Sequence, residues 1–254
     1  KVIEVCTQEN VPYYIVGNGS NLLVSDQGYE GVIIQIYKQM NRVEITENEI
    51  HAQAGALLSM IANRAMEAEL TGFEFAAGIP GTLGGACVMN AGAYGGEMKD
   101  VLETVTVLTR DGDVKTLTKD ELEPGYRTSV IAKKDYIVLS AVIRLENGKK
   151  EEIKAVMDDL KEKRITKQPL EYPSAGSTFK RPEGYFAGKL IQDAGLRGFQ
   201  VGGAQVSEKH CGFVVNKDQA TAADVMNLMN QVSDKVYEMS GVRLEPEVKR
   251  LGVF

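Results

Sequence analysis

Basic residues are in deficit. The 254 residues include 29 Lys and Arg against 35 Asp and Glu, a formal charge of −6. General affinity for nucleic acid rests on surplus Lys and Arg meeting phosphates, so that class of function is excluded. Histidine occurs only at positions 51 and 210. No pair of ligands has metal-site spacing, and Cys211 beside His210 forms no chelate, so no metal is expected. The three cysteines, Cys6, Cys87 and Cys211, are odd in number and widely spaced. That usage fits a reducing cytosol better than a disulfide framework. No apolar run approaches the ~18 residues of a membrane-spanning helix. No charged leader, apolar stretch and small-residue cleavage site opens the chain, so no secretory signal is expected. It begins at Lys1, directly in a helix-like segment, as the body of a longer protein would.

Hydrophobic residues make up 43% and charged residues 25%, near the average for soluble globular domains. The length allows one large domain or two smaller ones, with ample core to hold a fold without staples. Glycine is the exception. Its 26 residues are about a tenth of the chain, against a usual share of about 7%.

Three regions follow from the pattern. Residues 1–44 read as helix, strand (Val11–Val16), glycine loop (Gly17–Asn21) and strand (Gly31–Ile36), because short β-branched runs bounded by Gly and Asn are strand signals. From Arg42 to about Asn147 further strands surround one helix, whose stripe is Leu57, Leu58, Ile61 and Ala65 and whose end is Thr71-Gly72. Asp111-Gly112 between two alternating runs predicts a hairpin. After Gly148 a charged helix carries Ile153, Val156, Met157 and Leu160 on one face, and a proline-containing loop follows. A last helix starts at Thr221 with Asp224 completing a capping box. Its face is Val225, Leu228, Met229, Val232 and Val236, and Gly241 closes it. Asn147–Lys150 is the natural boundary.

Seven glycines crowd residues 78–96: Gly78, Gly81, Gly84, Gly85, Gly92, Gly95 and Gly96. Such a segment lets backbone N–H groups approach a ligand and adopt positive φ. Ile79, Leu83, Val88 and Met89 thread it, which argues against a polar flexible linker. The earlier loop, Gly17-Asn18-Gly19-Ser20-Asn21-Leu22, follows a strand but lacks the third glycine and the helix of a dinucleotide fingerprint. Together the two segments suggest a diphosphate cradle built from loops.

The C-terminal region offers Ser177-x-x-Lys180, the spacing of a serine hydrolase nucleophile and base, but the accompanying Ser-Asp-Asn and Lys-Thr-Gly elements are missing. Glu245-Pro-Glu247 places two carboxylates on one side of an extended segment, for which a solvated strand end is the default reading. His51 lies in an alternating strand and reads as exposed or structurally satisfied. Residues 161–181 hold six basic side chains against Glu162 and Glu171. A phosphorylated substrate or a solvated helix end would each account for them.

Five motifs then occur together and in order: Val16–Val24, Gly78–Gly96, Gly125-Tyr-Arg-Thr-Ser129, Ala175–Pro182 and Leu244-Glu-Pro-Glu-Val-Lys249. The set resembles the UDP-N-acetylenolpyruvoylglucosamine reductases, flavoenzymes of bacterial peptidoglycan precursor synthesis. The resemblance implies an α+β protein with a two-part FAD-binding domain of the vanillyl-alcohol-oxidase (PCMH) type over 1–147, in lobes 1–44 and 45–147. A smaller α+β substrate-binding domain over 148–254 follows. It implies FAD as cofactor and NADPH as reductant, with hydride passing to the vinyl carbon of UDP-N-acetylglucosamine-enolpyruvate to give UDP-N-acetylmuramate. Cell-wall biogenesis, cell shape and division, and the bacterial cytoplasm go with that role. No membrane or nucleic-acid partner is expected, and the chain is expected to be a monomer or weak oligomer.

By the same resemblance Arg127 is the cation for the substrate carboxylate, Ser177 the proton donor and Glu247 the carboxylate that polarises the enol. Lys180 is a candidate to assist Ser177. Gly17, Asn18, Gly19, Ser20, Asn21, Leu22, Gly78, Ile79, Pro80, Gly81, Gly84, Gly85, Asn90, Gly92 and Ala93 would hold FAD. Lys167, Lys180, Arg181 and His210 are weaker candidates for the phosphates and sugar; asparagine is also common in the family at the position of Arg181. The family's N-terminal Thr-Thr-Phe-x-Ile-Gly-Gly-Pro-Ala-like motif would precede Lys1. The short interval from Tyr126 to Ser177 resembles the subclass without a substrate lid. The competing readings are another FAD oxidoreductase of the same superfamily and a flavin-free nucleotide-sugar binding module.

Overall fold

The structure, a computed structural model, describes residues 1–254. In chain order its first elements are α1 (Val2–Gln8), β1 (Tyr13–Val16), β2 (Leu22–Val24), β3 (Val32–Gln35), β4 (Val43–Thr46), β5 (Glu49–Gln53), α2 (Leu58–Glu67), β6 (Leu70–Thr71), α3 (Leu83–Val88), β7 (Gly92–Ala93) and β8 (Gly96–Glu97). Next come α4 (Met98–Val101), β9 (Leu102–Leu108), β10 (Val114–Thr118), α5 (Val130–Lys133), β11 (Ile137–Arg144), β12 (Glu146–Asn147) and α6 (Lys150–Lys167). The rest are β13 (Ser174–Ser177), α7 (Ala187–Asp193), β14 (Gln200–Val201), β15 (Ala204–Val206), β16 (Phe213–Asn216), α8 (Ala222–Ser240) and β17 (Lys249–Leu251). None of the helices is long and apolar enough to cross a membrane.

The chain packs as two units, residues 1–19 with 31–164, and residues 20–30 with 165–254. In the first, β10-β9-β11-β5-β4 form an antiparallel sheet, and β1 pairs in parallel with β3. Alternation decides which residues turn inward: Ile50 and Ala52 on β5 and Val105 and Val107 on β9 are buried, while His51 between the first pair is exposed. Leu58, Ile61, Ala62 and Ala65 give α2 its buried stripe. This helix stops at Glu67, earlier than Thr71-Gly72, because Leu70 is drawn into the core as part of β6. The Asp111-Gly112 hairpin joins β9 and β10 as expected.

In the second unit β13-β16-β15-β14 form an antiparallel sheet covered by α7 and α8, with Phe179, Leu190, Ile191, Leu228, Met229, Val232 and Val236 in the core. Helix α8 begins and ends as the sequence dictates: Thr221 and Asp224 make the capping box, and Gly241 closes it at φ +71. Asp26 adds a second cap from far upstream, its carboxylate accepting from the Ala222 and Ala223 amides at 2.7 and 3.0 Å.

These units divide the chain differently from a cut at Gly148. The Gly148 amide donates to Glu69 O, β12 pairs with β6, Lys150 pairs with Glu67, and Ile153 is buried, so α6 up to Arg164 stays with the first unit. Of the predicted face of α6 only Ile153 is fully buried, and Val156 is exposed. Within residues 1–44 the glycine loop runs into β2, which pairs in parallel with β17 rather than with its sequence neighbours. That ladder carries residues 20–30 into the second unit. Between Tyr126 and Ser177 the chain is taken up by α5, β11, β12 and α6, leaving 168–173 as the stretch before β13.

Candidate active site

In the first unit the two glycine segments are tied to one another. The Asn18 side-chain amide donates to Pro80 O at 2.7 Å, and Gln35 Nε2 donates to Gly17 O at 3.2 Å. Gly17 lies so close to Thr82 that a Cβ would collide with its Oγ1 and stand 3.3 Å from its Cβ. Packing also explains several glycines of the second segment. A Cβ on Gly84 would lie 3.0 Å from that of Ala54, one on Gly92 would lie 2.6 Å from Gly96 O, and one on Gly96 would enter the Phe75 ring. Gly78 is covered by Arg164, whose guanidinium also lies over Tyr94 at 5.8 Å. Gly19 and Gly85 are different: both are exposed, Gly19 has φ +71, and a Cβ on Gly85 would meet only Thr82 Oγ1, at 3.8 Å. The amides of Asn18, Gly19 and Gly85 engage no acceptor of the protein.

Arg127 sits on a two-residue turn. Gly125 N donates to Thr128 O at 3.0 Å, Thr128 N returns a 3.4 Å bond, and Arg127 is held at φ +55. A non-glycine residue there stores strain of order 1–3 kcal/mol, which the surroundings must fix. They do so through Ser129 Oγ, which donates to Val88 O at 2.8 Å, and through Asn90 Nδ2, which donates to Gly125 O at 3.2 Å. Asn90 is buried, and its side chain also donates to Glu97 at 2.9 Å and accepts from the Lys99 amide. Glu97 pairs with Lys99 at 2.8 Å. Hydrogen bonds from Lys99 and Asn90, with the nearby charges of Lys99 and Arg127, hold its carboxyl below the ordinary range against the opposing effect of burial.

In the second unit Ser177 ends β13 and is exposed. Gly176, at φ +81, occupies the irregularity between Ser174 and Ser177. The chain then pairs with the C-terminal segment: Phe179 bridges Pro246, Lys180 N donates to Glu245 O, and Glu247 N donates to Thr178 O, both at 2.8 Å. Ser177 and Glu247 thus stand on neighbouring backbones. Asn21 joins them, donating to Glu247 O at 3.3 Å and accepting from Lys249 N. Lys180 pairs with Glu245 at 3.1 Å and makes no hydrogen bond to Ser177. Ser177-x-x-Lys180 is therefore no nucleophile–base pair in this geometry.

The basic stretch is largely engaged. Lys163 pairs with Asp159, Arg181 stacks on Phe186 at 3.9 Å, and Lys167 is exposed at the end of α6. His210 accepts from Gly212 N at Nδ1, which leaves its proton on Nε2, and desolvation against its neighbours holds its pKa below the usual value. His51 is exposed beside Glu49 at 3.3 Å.

Residues 168–251 match the family described as UDP-N-acetylenolpyruvoylglucosamine reductase, C-terminal domain, and residues 1–118 match an FAD binding domain. The UDP-N-acetylenolpyruvoylglucosamine reductase of Agathobacter rectalis is 58% identical, covering 100% of this chain and 85% of that protein. Its counterpart from Clostridioides difficile is 54% identical over 99% of this chain and 83% of its own length. The crystal structure of the Thermus caldophilus enzyme superposes with a TM-score of 0.84 at 37% identity, covering 98% of this chain and 88% of that one. The chain belongs to the UDP-N-acetylenolpyruvoylglucosamine reductase family. Its α+β class and its FAD-binding domain are those the five motifs imply, and it is an FAD oxidoreductase.

The residues present suit a flavin dinucleotide. The unengaged amides of Asn18, Gly19 and Gly85 are of the kind a diphosphate would engage, and the close approach of Gly17 to Thr82 fixes the loop that carries two of them. The Asn90 side chain, by contrast, has spent its donors and its acceptor on the protein. Sequence reasoning missed Glu97, Lys99 and Asp26; of the three only Glu97 carries a local signal, its place three residues before Asp100 in the capping box that opens α4.

Proposed function

We propose that this chain reduces the enolpyruvyl ether of UDP-N-acetylglucosamine-enolpyruvate to UDP-N-acetylmuramate with NADPH, in peptidoglycan precursor synthesis. The chemistry that bound FAD would supply is hydride transfer, from the nicotinamide to the vinyl carbon. Gly17, Asn18, Gly19, Gly81 and Gly85 hold its diphosphate through backbone amides and close approach; Gly84, whose amide donates to Ala54 O, packs the segment from within, and Ser20, Asn21, Leu22, Gly78, Ile79, Pro80, Gly92 and Ala93 line it.

Hydride addition at the vinyl carbon leaves negative charge on the adjacent carbon, shared with the carboxylate. A guanidinium offers that carboxylate a planar fork of donors, which is the role of Arg127. The Ser177 hydroxyl gives its proton to the carbanionic carbon, and solvent, to which Ser177 is exposed, restores it. Glu247 orients the enol from the backbone beside Ser177. Lys167 and the Nε2–H of His210 donate to the substrate's phosphates and sugar, while Lys180 and Arg181 exchange Glu245 and Phe186 for them. The enzyme works as a monomer or weak oligomer in the bacterial cytoplasm, a setting in keeping with three unpaired, buried cysteines.

What carries this reading is identity of 58% along the whole chain to a reductase of this name. The test is anaerobic spectroscopy of the FAD-loaded protein. NADPH should bleach the flavin, the enolpyruvyl substrate should restore its absorbance, and UDP-N-acetylglucosamine should not. A protein that binds the nucleotide sugar without flavin, or whose flavin is reduced by a small alcohol and not reoxidised by the enolpyruvyl substrate, would overturn it.

A further inference from the structure

Asn90 lies in the glycine segment, where position alone marks it for the cofactor. Its side chain does something else. It is 3% exposed, and its amide bridges three groups: Nδ2 donates to Glu97 Oε2 at 2.9 Å and to Gly125 O at 3.2 Å, while Oδ1 accepts from Lys99 N at 2.9 Å. Gly125 is the first residue of the turn that carries Arg127 at φ +55. Asn90 itself adopts φ +44, a region that Asn tolerates better than most residues. Strain at 127 persists only while neighbours over-determine the turn, and the Asn90 bond to Gly125 O is one of the ties that do so.

We propose that Asn90 is a positioning residue that fixes the direction of the Arg127 guanidinium by holding the Gly125 carbonyl, with Glu97 and Lys99 holding Asn90 in turn. The proposal rests on Arg127 meeting the substrate carboxylate. All the residues involved lie in the first packing unit. Glu97 is the second anchor: it is kept ionised by Lys99 and Asn90, so it is a permanent acceptor for the Asn90 amide. It also adds a fixed negative charge to the field around Arg127. Because the link passes through the backbone of the turn, its loss leaves the arginine present but misdirected.

The test uses FAD-loaded protein carrying Asn90→Asp, Glu97→Gln, both together, or Arg127→Lys. Asn90→Asp keeps size and backbone tolerance but replaces the amide donors with acceptors. In the double variant the hydrogen bond between 90 and 97 is restored with donor and acceptor exchanged, while the donor to Gly125 O stays lost. Bound flavin and the rate of bleaching by NADPH should match wild type in both Asn90 variants. Reoxidation by substrate should slow on the order of tenfold, the worth of one hydrogen bond to a poised group, with a raised KM for substrate. Thermal stability should fall in Asn90→Asp and recover in the double variant without recovery of reoxidation. Full recovery of reoxidation in the double variant would show that Asn90 matters only for holding Glu97, and would overturn the proposal. Loss of flavin, or slow bleaching, would return Asn90 to the cofactor. If Asn90→Asp does not fold, the double variant decides the same question. If Arg127→Lys leaves reoxidation untouched, the reading of Arg127 itself has failed, which the Asn90 variants alone would not reveal.

Discussion

Replacing Gly17 with alanine tests how the cofactor loop is held. Gly17 has no need of a left-handed backbone, so the change acts through space rather than through φ. The added Cβ would collide with Thr82 Oγ1 and stand 3.3 and 3.4 Å from Thr82 Cβ and Cγ2. Thr82 is 2% exposed and caps α3 with an extended backbone, so it cannot swing away cheaply. Overpacking of this kind costs about 1–3 kcal/mol. In a chain of this size each kcal/mol is worth roughly 2–4 °C, so Tm should fall by roughly 2–12 °C. The Asn18 bond to Pro80 O would be pulled out of line, and the protein should retain less flavin. Calorimetry with flavin absorbance per chain measures both. Thr82→Ala removes the colliding oxygen, so Gly17→Ala with Thr82→Ala should regain most of the loss, the residual 3.3 Å contact needing only a small shift. Unchanged Tm and flavin content in Gly17→Ala would refute the close-approach argument. So would a double variant as damaged as the single one.

Other outcomes follow from the same geometry. Thr221→Ala removes the cap of α8 and should destabilise the second unit by about 1 kcal/mol, read by urea unfolding. Asp224, whose carboxyl is held below the ordinary value by the amides of Thr221 and Gly203, contributes stability that is complete above the usual Asp range near ~4. This contribution is lost as pH falls through its folded value, so Asp224→Asn, less stable than wild type at neutral pH, and wild type should converge in acid. Burial pushes the Cys87 thiol up to about 12, so it should resist a thiol reagent at pH 8 until the protein unfolds. Labelling of Cys87 in the native protein at the rate of a free thiol would contradict that burial.

What the sequence made legible was local. Thr221, Asp224 and Gly241 bound α8 because caps depend on three or four neighbouring residues, and Asp111-Gly112 set a hairpin for the same reason. The glycine surplus pointed to a ligand cradle, but it could not separate Gly19 and Gly85, which stay open, from Gly84, Gly92 and Gly96, whose missing Cβ makes room for the protein itself. Long-range pairing was out of reach. Asp26 caps α8 from 196 residues away, and β2 finds β17 near the other end of the chain, which no periodicity in a three-residue strand announces. Composition places a boundary near Gly148, yet an ion pair to Glu67 and one buried isoleucine hold α6 with the first unit. Arg127 and Ser177 carry no chemistry in their local spacing. Their candidacy rests on the ordered motifs, and the positive φ of Arg127 is a feature that no local pattern announces.

The most direct test of the account is Ser177→Ala in the FAD-loaded protein, followed through each half of the reaction. Flavin bleaching by NADPH should proceed at the wild-type rate, because Ser177 has no part in it, while reoxidation by the enolpyruvyl substrate should be blocked for want of the proton. Equal slowing of both halves, or reoxidation at the wild-type rate, would contradict the role given to Ser177.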